Sequence, residues 1–510
     1  MTEKKESTER ARFRLRKDQV QPEALQLIPE SVARKYNVVP FEVRGNVLRV
    51  VMANVNDILA IEALETISHM SISPETASVE EVREAIDLSY RSYDEIAKQM
   101  ATISLPGEEE TSIEEITADS VADAPIVKAL TVIIDGAIKA GASDIHIQPE
   151  EDNVRVRYRI DGTLQDTISL PLSASVQLIS RLKIMAKMNI ADRQRPQDGQ
   201  ITVKPKDRPE MDIRVATIPI IHGEMAALRL QDKSKAMLPL DQLGFLPESL
   251  AKYQEMLKVP YGMILCTGPT GSGKSTTLYA SLNTLDRKGR NIITIEDPVE
   301  GHFKNINQIQ VNSKAGLTFA SGLRSILRLD PNVIMVGEMR DAETAEIAVQ
   351  AALTGHLVLS TIHANDAVGV VARLIDLGIE PFLVASALIG VVAQRMGRRL
   401  CPDCSRLVEA PLIEQTAYTK EIGEARKEFL YGSGCKTCSN TGYKGRIAFR
   451  EILRISDSLR TMLLKGANAS ELRTQALKEG LVPLVKDGML KVQAGITTPA
   501  EVLRNAYSAD

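Results

Sequence analysis

The sequence predicts an α/β protein whose C-terminal half is a parallel sheet covered by helices on both faces. Three observations carry that expectation. Short apolar runs at 263–266, 292–295, 333–336 and 357–360 suit buried strands. Helical stretches at 275–285, 319–328 and 342–353 lie between them. The first run leads straight into Gly268-Pro269-Thr270-Gly271-Ser272-Gly273-Lys274-Ser275-Thr276, a G-x-x-x-x-G-K-[ST] loop between a strand and a helix. Apolar strands that alternate with helices mark a sheet buried on both sides.

The loop has a definite chemistry. Its glycines let the backbone curl so that several N–H groups face one phosphate chain. The following helix adds the positive end of its dipole. Lys274 suits the β- and γ-phosphates, and Ser275 suits Mg²⁺. Loops at the carboxyl ends of parallel strands gather around one ligand, and three further segments end there. Thr294-Ile295-Glu296-Asp297-Pro298 brings two carboxylates, Val333-Ile334-Met335-Val336-Gly337-Glu338 a third, and Thr361-Ile362-His363 an imidazole. Phosphoryl transfer needs a Mg²⁺ shell, a group that orients the attacking water, and cations around the γ-phosphate. The carboxylates meet the first two needs, and His363 is placed to sense or polarise the γ-phosphate. Gly337 stands where many P-loop enzymes carry a metal-facing aspartate. Glu338 is therefore either the water-orienting base or an outer contact to Mg²⁺, and Glu296 competes for the role of base. The plainer use for either carboxylate is a helix cap, and for His363 an ordinary structural position.

The 510 residues suffice for several domains. A net charge of −4 provides no overall basic field for nucleic acid or a membrane. Residues 1–17 are charged with no apolar stretch behind them, and no uncharged apolar run approaches the roughly 18–20 residues of a membrane span. A cytoplasmic location is expected. The longest apolar run, 382–392, reads as a core helix.

In chain order, 1–20 is polar and expected to be frayed, and 21–100 is a small α/β module. In that module Leu25, Leu27, Ile28, Val32, Ala33 and Tyr36 follow helical spacing, and 41–51 reads as strand, turn, strand with Gly45-Asn46 at the turn. Helices are expected near 57–67 and 79–93. An acidic linker spans 101–122. An α+β domain spans 123–234: a helix at 126–140, a strand within 142–149, a strictly alternating strand at 154–160, and a turn at Asp161-Gly162. A helix at 176–188 and strands at 211–217 and 226–230 follow. Residues 235–510 form the phosphate-binding domain.

Four of the five cysteines lie in two C-x-x-C pairs, Cys401/Cys404 and Cys435/Cys438, thirty residues apart. Four thiolates at this spacing fit one tetrahedral Zn²⁺, within an insertion at 398–447. Gly432, Gly434 and Gly442 supply turns beside the second pair. A redox dithiol is the alternative, but it needs only one pair. Four cysteines leave no open coordination position for catalysis. Cys266, in the strand before the loop, reads as packing.

These motifs resemble the secretion/assembly ATPases of the type II secretion and type IV pilus systems, over about residues 20–505. Ile295-Glu296-Asp297-Pro298 is similar to that family's Asp box, Gly337-Glu338-Met339-Arg340-Asp341 to its Walker B and Ser360-Thr361-Ile362-His363 to its His box. Ser143-Asp144-Ile145-His146-Ile147-Gln148-Pro149 resembles S-D-I-H-I-E-P with Gln148 for glutamate, and Leu327-Arg328-Leu329-Asp330-Pro331 resembles L-R-Q-D-P with one exchange. The resemblance implies a RecA-like core, a PAS-like α+β domain before it, and a homo-hexameric motor that hydrolyses ATP with Mg²⁺ at the inner face of the cytoplasmic membrane. It implies that nucleotide lies between the two main domains and that arginines of the first reach the phosphates. The matching segments point to Arg214 and Arg229; read alone, each is an arginine on an alternating strand, suited to a surface ion pair.

The resemblance also implies an extension-type motor, because retraction motors of the superfamily usually lack the cysteine pairs and the N-terminal module. That module resembles a partner-docking domain, so the cytoplasmic domain of an inner-membrane platform protein is the implied partner, and pilin or pseudopilin the indirect one. Some relatives bind a cyclic dinucleotide there through arginine-containing repeats. The match here begins only near Leu27-Ile28-Pro29-Glu30, and no such binding is expected. Segments 352–358 and 378–383 resemble the type II secretion branch more closely.

Two other readings compete. One is a ring ATPase that translocates nucleic acid; the acidic balance and 4% aromatic content oppose it. The other is a nucleotide-binding adaptor without turnover.

Overall fold

A computed structural model describes residues 21–55, 57–79, 81–83, 85–86, 124–204, 210–231 and 238–506. The expected frayed N-terminus, the acidic linker at 101–122 and the end of the helix at 79–93 lie outside the described residues. The chain forms two compact units; the body of one ends at Gln231 and the body of the other begins at Asp232.

In the first unit, β1 (Val38–Arg44) and β2 (Val47–Met52) form an antiparallel hairpin around Gly45, whose φ of +59° suits glycine. The helix Ile58–Ser68 follows, capped by Asp57, whose carboxylate accepts the Ala60 N–H at 3.1 Å. The chain then returns as β3 (Ser71–Thr76), parallel to β2, a strand that polar Ser71, Ser73 and Glu75 hide from a hydrophobicity reading. The single helical spacing over 25–36 resolves into two helices, Pro22–Leu27 and Glu30–Tyr36, because Pro29 cannot continue a helix. Phe41, Leu48, Val50 and Leu64 fill the core.

The same unit holds a six-stranded antiparallel sheet of order β6-β5-β4-β9-β8-β7. Its strands are β4 (Asp144–Pro149), β5 (Asn153–Ile160), β6 (Thr163–Pro171), β7 (Gln197–Val203), β8 (Met211–Ile220) and β9 (Gly223–Gln231). The helices Ala124–Ala140 and Ser175–Met185 contribute to its apolar core. Strand alternation sends Ile145, Ile147, Val154 and Val156 inward and leaves Asp144, His146, Arg155, Arg157 and Arg159 less buried. Tyr158 crosses the core and donates to the Ile133 carbonyl at 2.6 Å, and a Cβ at Gly136 would meet that hydroxyl at 3.0 Å.

The second unit is built on a seven-stranded sheet of order β12-β11-β13-β14-β10-β15-β18. Its strands are β10 (Gly262–Thr267), β11 (Ile292–Glu296), β12 (Asn307–Gln310), β13 (Val333–Val336), β14 (Leu357–Ile362), β15 (Leu388–Leu400) and β18 (Tyr443–Arg454). All pairings are parallel except the last, between β15 and β18. Every residue of β10, β11, β13 and β14 is buried, as a sheet covered on both faces requires. Between β15 and β18 an insertion carries a two-stranded sheet, β16 (Ser405–Glu409) with β17 (Glu428–Gly432), and the helix Leu412–Ile422.

The expected core helix at 382–392 is corrected by the fold. A helix covers only Pro381–Ala387, and β15 starts at Leu388. Val391 and Val392 are β-branched and pair with Leu265 and Cys266 of β10, while Ile389 falls at a register shift and is left without a partner on that strand. Gly390 permits the close approach, since a Cβ there would lie 2.5 Å from the Leu453 carbonyl.

Candidate functional site

The four strand ends singled out in the sequence lie on one edge of the second unit's sheet. The P-loop follows β10, Glu296 ends β11, Glu338 follows β13 and His363 follows β14. In the loop, Gly268, Gly271 and Gly273 have φ of +141°, +78° and +85°. A Cβ at Gly268 would lie 2.2 Å from the Gln394 carbonyl and 2.8 Å from Ser272 Oγ. Lys274 Nζ folds back to donate to the carbonyls of Gly268 (2.7 Å) and Pro269 (3.1 Å). Ser272 Oγ is buried with no hydrogen-bond partner among the described residues. A loop turned by three positive-φ glycines, the first with no room for a side chain, an unspent buried hydroxyl and a lysine at the mouth fit a polyphosphate. Ser275, in the first turn of the helix Lys274–Thr284, is the residue suited to Mg²⁺.

Burial pushes the Lys274 ammonium below its ordinary range, the Glu338 carboxylate opposes that, and Arg395 adds to it. Buried Cys266, behind the loop, has its thiol pushed up to about 12 by desolvation, in keeping with a packing role.

The two glutamates occupy different environments. Glu296 is 4% exposed and accepts from Thr294 Oγ1 at 2.5 Å, Gln308 Nε2 at 3.1 Å and the Tyr279 hydroxyl. Glu338 is half-buried and paired with the exposed Arg340. Neither caps a helix; the cap of Ala342–Leu353 is Asp341, which accepts the Thr344 N–H at 2.8 Å. Gly337 donates its N–H to the Ile295 carbonyl at 2.8 Å and accepts from Thr361 Oγ1 at 2.8 Å. A Cβ at Gly337 would come within 3.3 Å of Glu296 Cα, so a side chain there would press on the end of β11.

His363 is exposed and its side chain makes no hydrogen bond among the described residues. The chain beyond it is tied down: Thr267 Oγ1 donates to the Ala364 carbonyl (2.9 Å) and accepts the Ala364 N–H (2.8 Å). Arg214 and Arg229 belong to the first unit, facing each other across β8 and β9. Arg229 is 62% exposed and donates to Asp144 Oδ1 at 3.0 Å, and Arg159 lies 3.6 Å from the other oxygen. Sequence reasoning missed Tyr279, Gln308 and Gln394, each separated from its partner by 12 to 122 residues. No local motif announces such pairs.

The sulfurs of Cys401, Cys404, Cys435 and Cys438 all lie within 4.8 Å of one another. The Cys435 and Cys438 sulfurs are 3.7 Å apart, near the edge of about 3.8 Å that a tetrahedron of about 2.3 Å Zn–S bonds has. Backbone closure sets the framework: the Cys401 N–H donates to the Gly442 carbonyl and the Ser433 N–H to the Cys404 carbonyl, both at 3.0 Å. Gly434 and Gly442 turn with φ of +90° and +77°. The donor set fits zinc.

Fold and site together define a P-loop ATPase. The family described as Type II/IV secretion system protein matches residues 119–504, and the MshEN domain matches 9–95. A type IV pilus assembly ATPase from Myxococcus xanthus is 44% identical over 95% of this chain and 87% of its own. The type II secretion system ATPase E of Vibrio cholerae is 46% identical over 78% of each chain. Among solved structures, the pilus retraction motor PilT with bound ADP is 26% identical, with a TM-score of 0.51 over 74% of this chain and 96% of that one. The chain belongs to the type II/IV secretion system protein family, as an ATPase of its secretion and pilus assembly branches. These relatives do not favour a nucleic-acid translocase. Among the described residues no helix is long and apolar enough to cross a membrane.

Proposed function

We propose that the chain is a hexameric motor that couples ATP hydrolysis to assembly of a type II secretion pseudopilus or a type IV pilus, from the cytoplasmic side of the inner membrane. The observation that carries this reading is the convergence of the P-loop, Glu296, Glu338 and His363 on one sheet edge, in a chain whose relatives are named as pilus assembly and secretion ATPases. The N-terminal module docks the cytoplasmic domain of a platform protein, through which the motor acts on pilin or pseudopilin.

In this reading the backbone of Gly268–Thr276 and Lys274 hold the phosphates of ATP. Ser275 would hold Mg²⁺, which when bound neutralises charge between the phosphates. Glu338 is the base: its partner Arg340 is exposed and free to swing away, whereas the oxygens of Glu296 are engaged by Tyr279, Thr294 and Gln308. Glu296 instead orders the floor of the pocket, and His363 addresses the γ-phosphate. Arg229 exchanges Asp144 for phosphate and, with Arg214, stabilises charge that develops on transfer, an effect of roughly 10³–10⁵ in related enzymes. That exchange couples the pocket to movement of the two units. The four cysteines hold one structural Zn²⁺.

Glu338→Gln tests the assignment. Turnover is expected to vanish while ATP stays bound, as measured by steady-state hydrolysis and equilibrium dialysis. Unchanged turnover would remove Glu338 from the mechanism.

A further inference from the structure

Two neighbouring residues of β15 reach the two loops that flank the nucleotide pocket. Gln394 is fully buried; its Nε2 donates to the Ser272 carbonyl at 2.7 Å, and its Oε1 accepts from Thr277 Oγ1 at 3.0 Å. It thus grips the P-loop and the helix after it. Successive strand side chains point to opposite faces, and Arg395 reaches the other loop, where its guanidinium donates to the Asn365 carbonyl at 2.8 Å. Asn365 lies two residues beyond His363. The same segment is held on either side of Asn365: Thr267 bonds both backbone groups of Ala364, and Glu451 accepts the Ala367 N–H at 2.9 Å. The His363 side chain has no hydrogen bond among the described residues, so where it stands at this sheet edge depends on how firmly the backbone is held.

We propose that Arg395 is a positioning residue for ATP hydrolysis: it fixes the loop that carries His363 to the strand whose preceding residue, Gln394, fixes the P-loop. One rigid strand then sets the register between Lys274 and His363. The inference rests on the ATPase reading given above. Displacing a reacting group by about 1 Å can cost on the order of 100-fold in rate, so one carbonyl anchor at this point matters to turnover more than to affinity. Arg395 also lies close enough to lower the Lys274 ammonium, which makes direct contact with phosphate the competing role.

The full-length chain carrying Arg395→Gln, Arg395→Lys, His363→Asn and His363→Asn/Arg395→Gln separates the two roles. Turnover of radiolabelled ATP gives kcat and KM, and equilibrium dialysis gives ADP affinity. Arg395→Gln is expected to lower kcat about 10-fold, within the roughly 100-fold that such a displacement can cost, and to leave ADP affinity unchanged within about twofold. Arg395→Lys recovers part of the loss, because an ammonium can reach the same carbonyl. In the His363→Asn background, Arg395→Gln is expected to add almost nothing, since the two residues act as one unit. A full loss in that background, or a parallel fall in ADP affinity, would overturn the proposal and assign Arg395 to the phosphates. Should Arg395→Gln not fold, Thr267→Val removes the neighbouring anchor and must show the same dependence on His363. A wild-type chain without turnover would sink the functional reading itself, whereas additive losses sink only the role of Arg395.

Discussion

Glu296 shows how much a single buried carboxylate depends on its donors. Among the described residues its donors are two hydroxyls and an amide, and one of them, Tyr279, is itself 2% exposed. The same tyrosine accepts the Glu300 N–H at 3.2 Å, and burial together with the carboxylate pushes its phenol well above the usual range. Tyr279→Phe takes one donor from this buried carboxyl group. Leaving a buried polar group without its partner costs about 1–3 kcal/mol. The urea midpoint of the second unit is therefore expected to fall by a corresponding amount, and a midpoint equal to wild type would show that Glu296 finds another donor.

At the scale of elements, β15 and β18 bracket the tetracysteine insertion: Leu400 closes one strand immediately before Cys401, and Tyr443 opens the other soon after Cys438. Between them Gly432 and Gly442 approach so closely that a Cβ at Gly432 would lie 2.0 Å from the Gly442 carbonyl. Backbone on backbone cannot yield as a flexible side chain would. Gly432→Ala is expected to splay the two knuckles and, if the proposed ion is present at one per wild-type chain, to lower zinc content to a small fraction of that, read by inductively coupled plasma mass spectrometry. Full zinc content in this variant would mean that the four sulfurs come together without that closure. Restoring metal to a Cys435→Ser variant is expected to fail as well, since three thiolates and a hydroxyl make a weaker site.

At the scale of the whole molecule, the proposed mechanism needs two units and neighbouring subunits in one ring, so turnover per chain should depend on assembly. Specific ATPase activity is expected to rise with protein concentration until hexamers form, with light scattering as the measure of size. Acidic phospholipid together with the platform protein's cytoplasmic domain is expected to raise it further. DNA is expected to have no effect, given a net charge of −4 and 4% aromatic residues. Stimulation by DNA alone would revive the translocase reading.

What the chain determines on its own is local and repetitive: the glycine loop with its flanking strand and helix, the four strand-end motifs and the paired C-x-x-C spacing. These are legible because phosphate cradles and metal knuckles are built from residues close in sequence, with fixed spacing. The periodicity of β5 and of the buried strands was readable for the same reason. Tertiary structure alone decided the rest. The stretch 382–392 splits into helix and strand because β10 offers a parallel partner to Gly390, Val391 and Val392. The polar strand β3 exists because β2 offers a parallel partner. Gln394 grips a loop 122 residues away, and Tyr279 meets Glu296 across two elements. Such contacts follow from which strands lie side by side, and strand order is fixed by the burial of both sheet faces together, a property of the folded whole that no window of sequence contains.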